Sequence, residues 1–208
     1  MPAPDGEILI RSRGRLPHWE SHRGAYFVTF RLDDSLPQSL LESYDFERQD
    51  ILAIAQRQGR ELTPAERRRL DELFAERIDK YLDSGVGACY LARTEIAELV
   101  ADALRYFEGQ RYRLEAWCVM PNHVHTVFTA FLEQSLESIL HSWKSFSAKQ
   151  ANKLLNTTGR FWQREYYDRL VRNDEELRRF IRYVAENPLR AHLSNWRWVW
   201  ARISAGRL

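Results

Sequence analysis

The chain has 208 residues, of which 44% are hydrophobic and 12% aromatic, so it can bury a core and wholesale disorder is excluded. No apolar run approaches the roughly 18 residues that span a membrane, and residues 1–15 lack the apolar stretch of a signal peptide. The two cysteines, Cys89 and Cys118, show no pairing pattern, which favours a reducing, cytoplasmic compartment.

The net charge of +2 conceals an uneven distribution. Residues 141–208 carry 14 basic and 6 acidic side chains, whereas residues 41–83 carry 8 basic and 11 acidic ones. A basic region rich in arginine and aromatic residues is typical of nucleic-acid binding, although a solvated helix face has the same composition.

The first 83 residues divide into three predicted segments. Residues 1–23 are a basic N-terminal arm, which we expect to be irregular, and residues 25–32 are rich in β-formers and predict a strand. Residues 38–83 show helical periodicity with mixed charges, which predicts an exposed helical hairpin inserted into the fold. Thr63, Pro64 and Glu66 have the spacing of a helix start with a capping box. The function of this insertion stays open.

The remaining residues alternate between helical and extended patterns. We predict helices over 93–107, 135–155 and 174–186, strands over 112–120 and 123–131, and a partly extended segment over 161–171. Because the residue before a proline is disfavoured in the α region, Asn187-Pro188 should end or kink the last helix. This order predicts a single α+β domain, 1–208, with a ferredoxin-like antiparallel sheet and helices on one side of it, plus the inserted hairpin.

His123 and His125 are the strongest chemical signal in the chain, within Met120-Pro121-Asn122-His123-Val124-His125. Residues i and i+2 of a strand share a face, so the two imidazoles would form half of a divalent-metal site. The same pattern also occurs in histidines that lie on the surface or pack in the core. A catalytic metal site would need a third protein ligand besides the two histidines. No zinc-finger spacing, His-Glu-x-x-His or glycine-rich phosphate loop is present.

Tyr183 and Asn187 lie four residues apart on the last predicted helix and therefore share a face. If that face packs beside the histidine strand, Asn187 can lend a carbonyl oxygen to the metal, and Tyr183 can reach a phosphate bound there. The alternative is that Tyr183 is a half-buried aromatic residue of the helix and that Asn187 caps the helix end.

Three motifs together resemble one family. Met120–His125 resembles the His-hydrophobic-His (HUH) motif of single-tyrosine transposases. The segments 161–168, followed by Arg172, and 180–188 resemble two further signatures of the REP-associated tyrosine transposases, relatives of the insertion-sequence-200-like enzymes.

The resemblance implies a metal-dependent enzyme that cleaves and rejoins single-stranded DNA near a hairpin through a 5′-phosphotyrosine. It implies Tyr183 as nucleophile, His123, His125 and Asn187 as metal ligands, and Mg²⁺ or Mn²⁺ as the cofactor. Tyr166 and Tyr167 compete as nucleophiles, although core packing or base stacking suits them better. Candidate DNA contacts are Arg11, Arg13, Arg15, Trp162, Gln163 and Arg172. The alternative for Trp162, Gln163 and Arg172 is packing against the last helix, which is favoured for Trp162, and the alternative for the arm is a frayed terminus.

Two other functions stay open at this point. One is a DNA-hairpin-binding protein that has lost cleavage, and the other is a metal-dependent hydrolase of small phosphoesters. The sequence does not decide between a monomer and a homodimer, nor does it give the DNA target.

Overall fold

A computed structural model describes residues 9–13, 16–20, 24–73 and 78–202 of the chain. It contains the strands β1 (Leu9–Arg13), β2 (Leu16–Glu20), β3 (Ala25–Arg31), β4 (Tyr112–Val119), β5 (His123–Ala130), β6 (Tyr167–Leu170) and β7 (Val199–Ala201). The helices are α1 (Gln38–Arg57), α2 (Pro64–Leu73), α3 (Lys80–Asp83), α4 (Thr94–Arg105), α5 (Leu136–Leu155) and α6 (Asp174–Arg190).

The central sheet has five strands in the order β6-β3-β5-β4-β7, and every neighbouring pair is antiparallel. With the inserted helices α1–α3 left out, β3, α4, β4, β5, α5 and β6 follow one another as β-α-β-β-α-β, which is the ferredoxin-like order. The predicted α+β fold class is therefore confirmed. Strand β7 extends the sheet beyond β4 and had no counterpart among the predicted elements.

Helices cover both faces of the sheet, so the prediction of helices on one side only is wrong. One core joins the sheet to α4 and α5 through residues such as Val28, Val100 and Leu140. A second core on the opposite face joins Phe27 and Val127 to α6. The reason is visible in β3, where six consecutive residues are buried, because a strand with two apolar faces needs a layer on each side.

The basic arm is also more regular than predicted. Strands β1 and β2 pair antiparallel from Leu9↔Glu20 to Arg13↔Leu16, and β2 lies beside β6. Pairing of two strands satisfies backbone polar groups whatever the charge of the side chains.

Helix α6 continues through Pro188 to Arg190 instead of ending at Asn187. Pro188 lacks an N–H, but the last turn is held by the Ala191 N–H donating to the Asn187 carbonyl and the Leu193 N–H donating to that of Pro188. Both Asn187 and Pro188 are buried against the sheet, which compensates for the missing hydrogen bond.

The insertion forms its own small core and is helical as predicted. Leu73, Ile78 and Leu82 are buried with Leu36 and Tyr44. The Thr63–Glu66 capping box is present, since the Glu66 N–H donates to Thr63 Oγ1 at 3.2 Å and the Thr63 N–H donates to Glu66 Oε2 at 2.8 Å. Within the described residues, no helix is long and apolar enough to cross a bilayer.

Tyr112 ties two helices to the sheet, and its hydroxyl gives a test of this packing. The fully buried hydroxyl donates to the Leu104 carbonyl at 2.8 Å and accepts from Trp143 Nε1 at 2.8 Å. We expect Tyr112→Phe to lower the free energy of unfolding by about 1–3 kcal/mol in urea denaturation, because the Trp143 N–H loses its partner. Tyr106→Phe, at a side chain that is 73% exposed, is the matched control. An equal, near-zero effect of both substitutions would contradict the assignment.

Candidate active site

His123 and His125 point from β5 toward α6 and meet each other. Both side chains are completely buried, and their Nε2 atoms lie 2.9 Å apart. Two ligands bound at ~2.1 Å and at right angles around one ion lie about 3.0 Å apart. The pair therefore has the spacing of two ligands of a single divalent cation.

The outer nitrogens of both imidazoles are held by oxygens. Asn122 Nδ2 donates to the Val86 carbonyl at 2.8 Å, which turns Asn122 Oδ1 toward His123 Nδ1 at 2.7 Å. Thr29 Oγ1 lies 2.8 Å from His125 Nδ1. The hydroxyl accepts from Nδ1–H in one tautomer and donates to the Nδ1 lone pair in the other. This arrangement is typical of metal-binding histidines, whose second nitrogen is fixed by a hydrogen bond.

Both imidazoles are neutral around pH 7, which is the state that binds a metal. Burial lowers the pKa of His123 far below its ordinary value, and the neighbouring His125 lowers it further. Burial, with a contribution from the charge of Arg190, lowers the pKa of His125 to about 3.

Two carboxylates from the insertion complete the pocket, and the sequence analysis missed them. Asp79 Oδ1 lies 3.5 Å from His125 Nε2, and Asp83 Oδ1 lies 3.8 Å from His123 Nε2. Asp79 and Asp83 are four residues apart, so one helical face presents both, while buried Ile78 and Leu82 fix the segment. That pattern of two aspartates interleaved with two buried apolar residues was the available signal.

Three buried oxygens in this pocket lack a hydrogen-bond donor: Asp79 Oδ1, Asp83 Oδ1 and Asn187 Oδ1. Buried acceptors are rarely left unsatisfied, and carboxylate and amide oxygens are ligands that Mg²⁺ and Mn²⁺ prefer. Asp79, His123 and His125 offer ligand atoms that all lie within 4.8 Å of one another. The residues of this pocket therefore fit a divalent cation.

The carboxylates are costly without a cation. Burial raises the pKa of Asp79 to about 7, and the nearby charge of Asp83 contributes to the same direction. Burial also raises the pKa of Asp83 to about 6. A divalent cation removes this penalty, because an opposite charge favours the ionised form.

Helix α6 brings Tyr183 and Asn187 to the histidines, as the sequence predicted it would if it packed there. Asn187 is fully buried, and its Nδ2 donates to Tyr183 Oη at 3.4 Å. The Tyr183 ring meets His125 edge-on, with centroids 5.4 Å apart. The candidate metal ligands and the tyrosine hydroxyl therefore lie together between the sheet and α6.

The two competing tyrosines are placed differently. Tyr166 packs on the opposite face of the sheet, with the Lys144 ammonium 5.5 Å from its ring centroid. Tyr167 begins β6 on the α6 side, where its ring meets Phe27 edge-on at 6.2 Å. Of the three tyrosines, Tyr183 is the one whose ring packs directly on His125.

The candidate DNA contacts are spread widely. Trp162 is only 4% exposed, and its Nε1 donates to Ser147 Oγ at 2.9 Å, which favours the packing alternative for this residue. Gln163 is half-buried and donates through Nε2 to the Asp33 carbonyl at 3.2 Å. Arg172 is exposed and pairs with Glu176 at 3.1 Å. Arg15 and the side chains of Arg11 and Arg13 lie outside the described residues.

The fold and the site together define a ferredoxin-like protein with a buried histidine–carboxylate pocket and an adjacent tyrosine. Residues 92–187, which contain the histidine pair and Tyr183, match the family described as Transposase IS200 like. This match supports the resemblance to the IS200-like transposases that the sequence motifs indicated.

Several solved structures resemble the chain, whereas no curated protein matches it. A REP-associated tyrosine transposase bound to a REP hairpin is 15% identical, with a TM-score of 0.50 over 92% of this chain and 82% of that one. A Deinococcus radiodurans R1 protein described as a transposase is also 15% identical, with a TM-score of 0.39 over 86% of this chain and 98% of that one. The first likeness supports the fold.

Asp79→Asn tests whether this pocket binds a metal. The substitution should raise the melting temperature of the metal-free protein, because it removes one of two buried like charges. It should also abolish most of the rise in melting temperature that Mn²⁺ causes in the native sequence, because a ligand is lost. Asp102→Asn, at a 64% exposed carboxylate paired with Arg105, is the control and should change neither quantity. A Mn²⁺ shift that survives Asp79→Asn intact would show that Asp79 is no ligand.

Proposed function

We propose that this protein is a metal-dependent transposase that cleaves and rejoins single-stranded DNA near hairpin sequences, with Tyr183 as the nucleophile. The observation that carries the proposal is the position of the Tyr183 hydroxyl, which shares a pocket with two convergent imidazoles and three unsatisfied oxygens. A hairpin as partner is supported by the fold likeness to a transposase that is bound to a REP hairpin.

His123, His125 and Asp79 would hold the cation, Mg²⁺ or Mn²⁺, with the oxygens of Asp83 and Asn187 completing the set. A bound divalent cation would supply charge neutralisation and orientation of a DNA phosphate. The oxygen-rich donor set favours a hard cation over one that prefers thiolates. Asn187 would act twice, since its Oδ1 faces the pocket without a donor while its Nδ2 donates to Tyr183.

The proposed reaction balances as a transesterification. The Tyr183 oxygen forms a bond to phosphorus, the bond from phosphorus to the 3′-oxygen breaks, and the DNA 5′ end becomes a phosphotyrosine. The phenol proton passes to solvent, and the departing oxygen takes up a proton to become a free 3′-OH. Rejoining is the reverse reaction with a 3′-OH as the attacking group, so no outside energy source is needed. The Asn187 N–H stabilises negative charge on the tyrosine oxygen in both directions.

Tyr183→Phe provides the test. Incubation with a labelled single-stranded hairpin and Mn²⁺ should give a covalent protein–DNA adduct for the native sequence and none for Tyr183→Phe, because the attacking oxygen is gone. Tyr166→Phe, on the opposite face of the sheet, should leave adduct formation unchanged. Tyr167→Phe tests the tyrosine that shares the α6 side.

Each alternative function predicts a different result. Hairpin binding without any adduct, over several metals and substrates, would identify a binding protein that lacks cleavage. Cleavage that survives Tyr183→Phe without an adduct would identify a hydrolase that uses water.

A further inference from the structure

Arg190 lies beside the nucleophilic tyrosine of the proposed reaction and is exposed. It belongs to the last turn of α6, seven residues after Tyr183, so two helical turns place both on one face. Its guanidinium carbon lies 4.9 Å from the centroid of the Tyr183 ring. The exposed arginine therefore packs on the ring that carries the attacking oxygen.

Arg190 forms no ion pair with the described residues of the chain. Within the described ranges, no carboxylate lies within 4.0 Å of its guanidinium, whereas Arg169, Arg172 and Arg179 all contact Glu176. Its positive charge acts on three residues of the pocket. It lowers the pKa of Asp79 and Asp83 against the larger effect of burial, and it adds to the lowering of the pKa of His125.

We propose that Arg190 is a catalytic residue that binds a non-bridging oxygen of the scissile phosphate. The proposal rests on the transposase function proposed above. Attack by a tyrosine oxygen places additional negative charge on the phosphate oxygens, and guanidinium is a planar donor that remains charged at every working pH. The histidines approach the pocket from β5 and the aspartates from α3 and the residue before it, whereas Arg190 approaches from α6. A phosphate beside Tyr183 therefore has a cationic group available on a second side.

Arg190 changes no bond in this reaction. Tyr183 still forms the bond to phosphorus, the 3′-oxygen still leaves, and the arginine keeps its proton throughout. Its contribution is electrostatic and is largest when the phosphate carries most charge, which is during transfer. The same contact then serves both formation of the phosphotyrosine and its reversal by a 3′-OH.

Arg190→Gln and Arg190→Lys test the proposal, with Arg178→Gln as the matched control. Arg178 is another exposed arginine of α6. Single-turnover adduct formation is measured with Mn²⁺ and saturating labelled hairpin DNA. We expect Arg190→Gln to slow it by about 10²-fold, the usual effect of losing one donor to a developing oxyanion. Arg190→Lys should recover part of the rate, and Arg178→Gln should match the native protein.

A second substrate separates phosphate binding from a structural role. A methylphosphonate at the scissile position lacks one charged non-bridging oxygen. A residue that binds that oxygen therefore no longer accelerates the reaction on this substrate. The ratio of the native rate to the Arg190→Gln rate should therefore fall toward one for at least one methylphosphonate diastereomer. The same ratio on all substrates would show that Arg190 acts by positioning α6 or Tyr183, and the proposal would be wrong.

The remaining outcomes are also decisive. Native-like rates for Arg190→Gln, in a protein that forms the adduct through Tyr183, would overturn the role of Arg190 alone. Absence of any adduct from the native protein would overturn the proposed function and the role of Arg190 with it.

Discussion

The close approach of two buried imidazoles is the constraint on which the rest of the site depends. Their Nε2 atoms lie 2.9 Å apart, and three buried oxygens around them have no donor. Burial lowers the pKa of both histidines, which keeps them neutral, and raises the pKa of both aspartates, which disfavours their ionised form. One divalent cation resolves all of these costs together, because it accepts the nitrogen lone pairs and the carboxylate charges at once.

The insertion acquires a role from this constraint. Its own core of Leu73, Ile78 and Leu82 fixes the turn that carries Asp79 and Asp83. The chain then returns to the sheet through Gly87, where φ is +94° and a Cβ atom would lie 2.8 Å from the Asp34 carbonyl oxygen. The preceding residue, Val86, accepts the Asn122 hydrogen bond that orients His123. Residues 38–83 therefore supply acidic groups to the pocket, and the turn that follows them helps to set the orientation of a histidine.

Much of the fold could be predicted because local patterns agree with the final structure. The i, i+2 histidines share a face in β5, the Thr63–Glu66 cap forms, and the order of strands and helices gives the ferredoxin-like sheet. Errors arose where tertiary packing overrides a local preference. Pro188 stays in a helix because it and Asn187 are buried, and helices cover both faces of the sheet because both faces of β3 are apolar.

The candidate site was predictable only in part for the same reason. His123, His125, Tyr183 and Asn187 lie in recognisable local patterns, and the structure brings all four together. Asp79 and Asp83 are far from the histidines in the sequence, inside a segment with many other acidic residues. Only the packing of the insertion against the sheet distinguishes these two from the rest, and a single sequence contains no direct record of that contact.

The most direct measurement of the central claim is a crystal structure of the protein grown with Mn²⁺, using anomalous scattering to locate the ion. The account predicts one strong anomalous peak within coordination distance of His123 Nε2, His125 Nε2 and an Asp79 carboxylate oxygen. A peak elsewhere, or histidines that remain hydrogen-bonded to each other with no ion between them at saturating Mn²⁺, would contradict it.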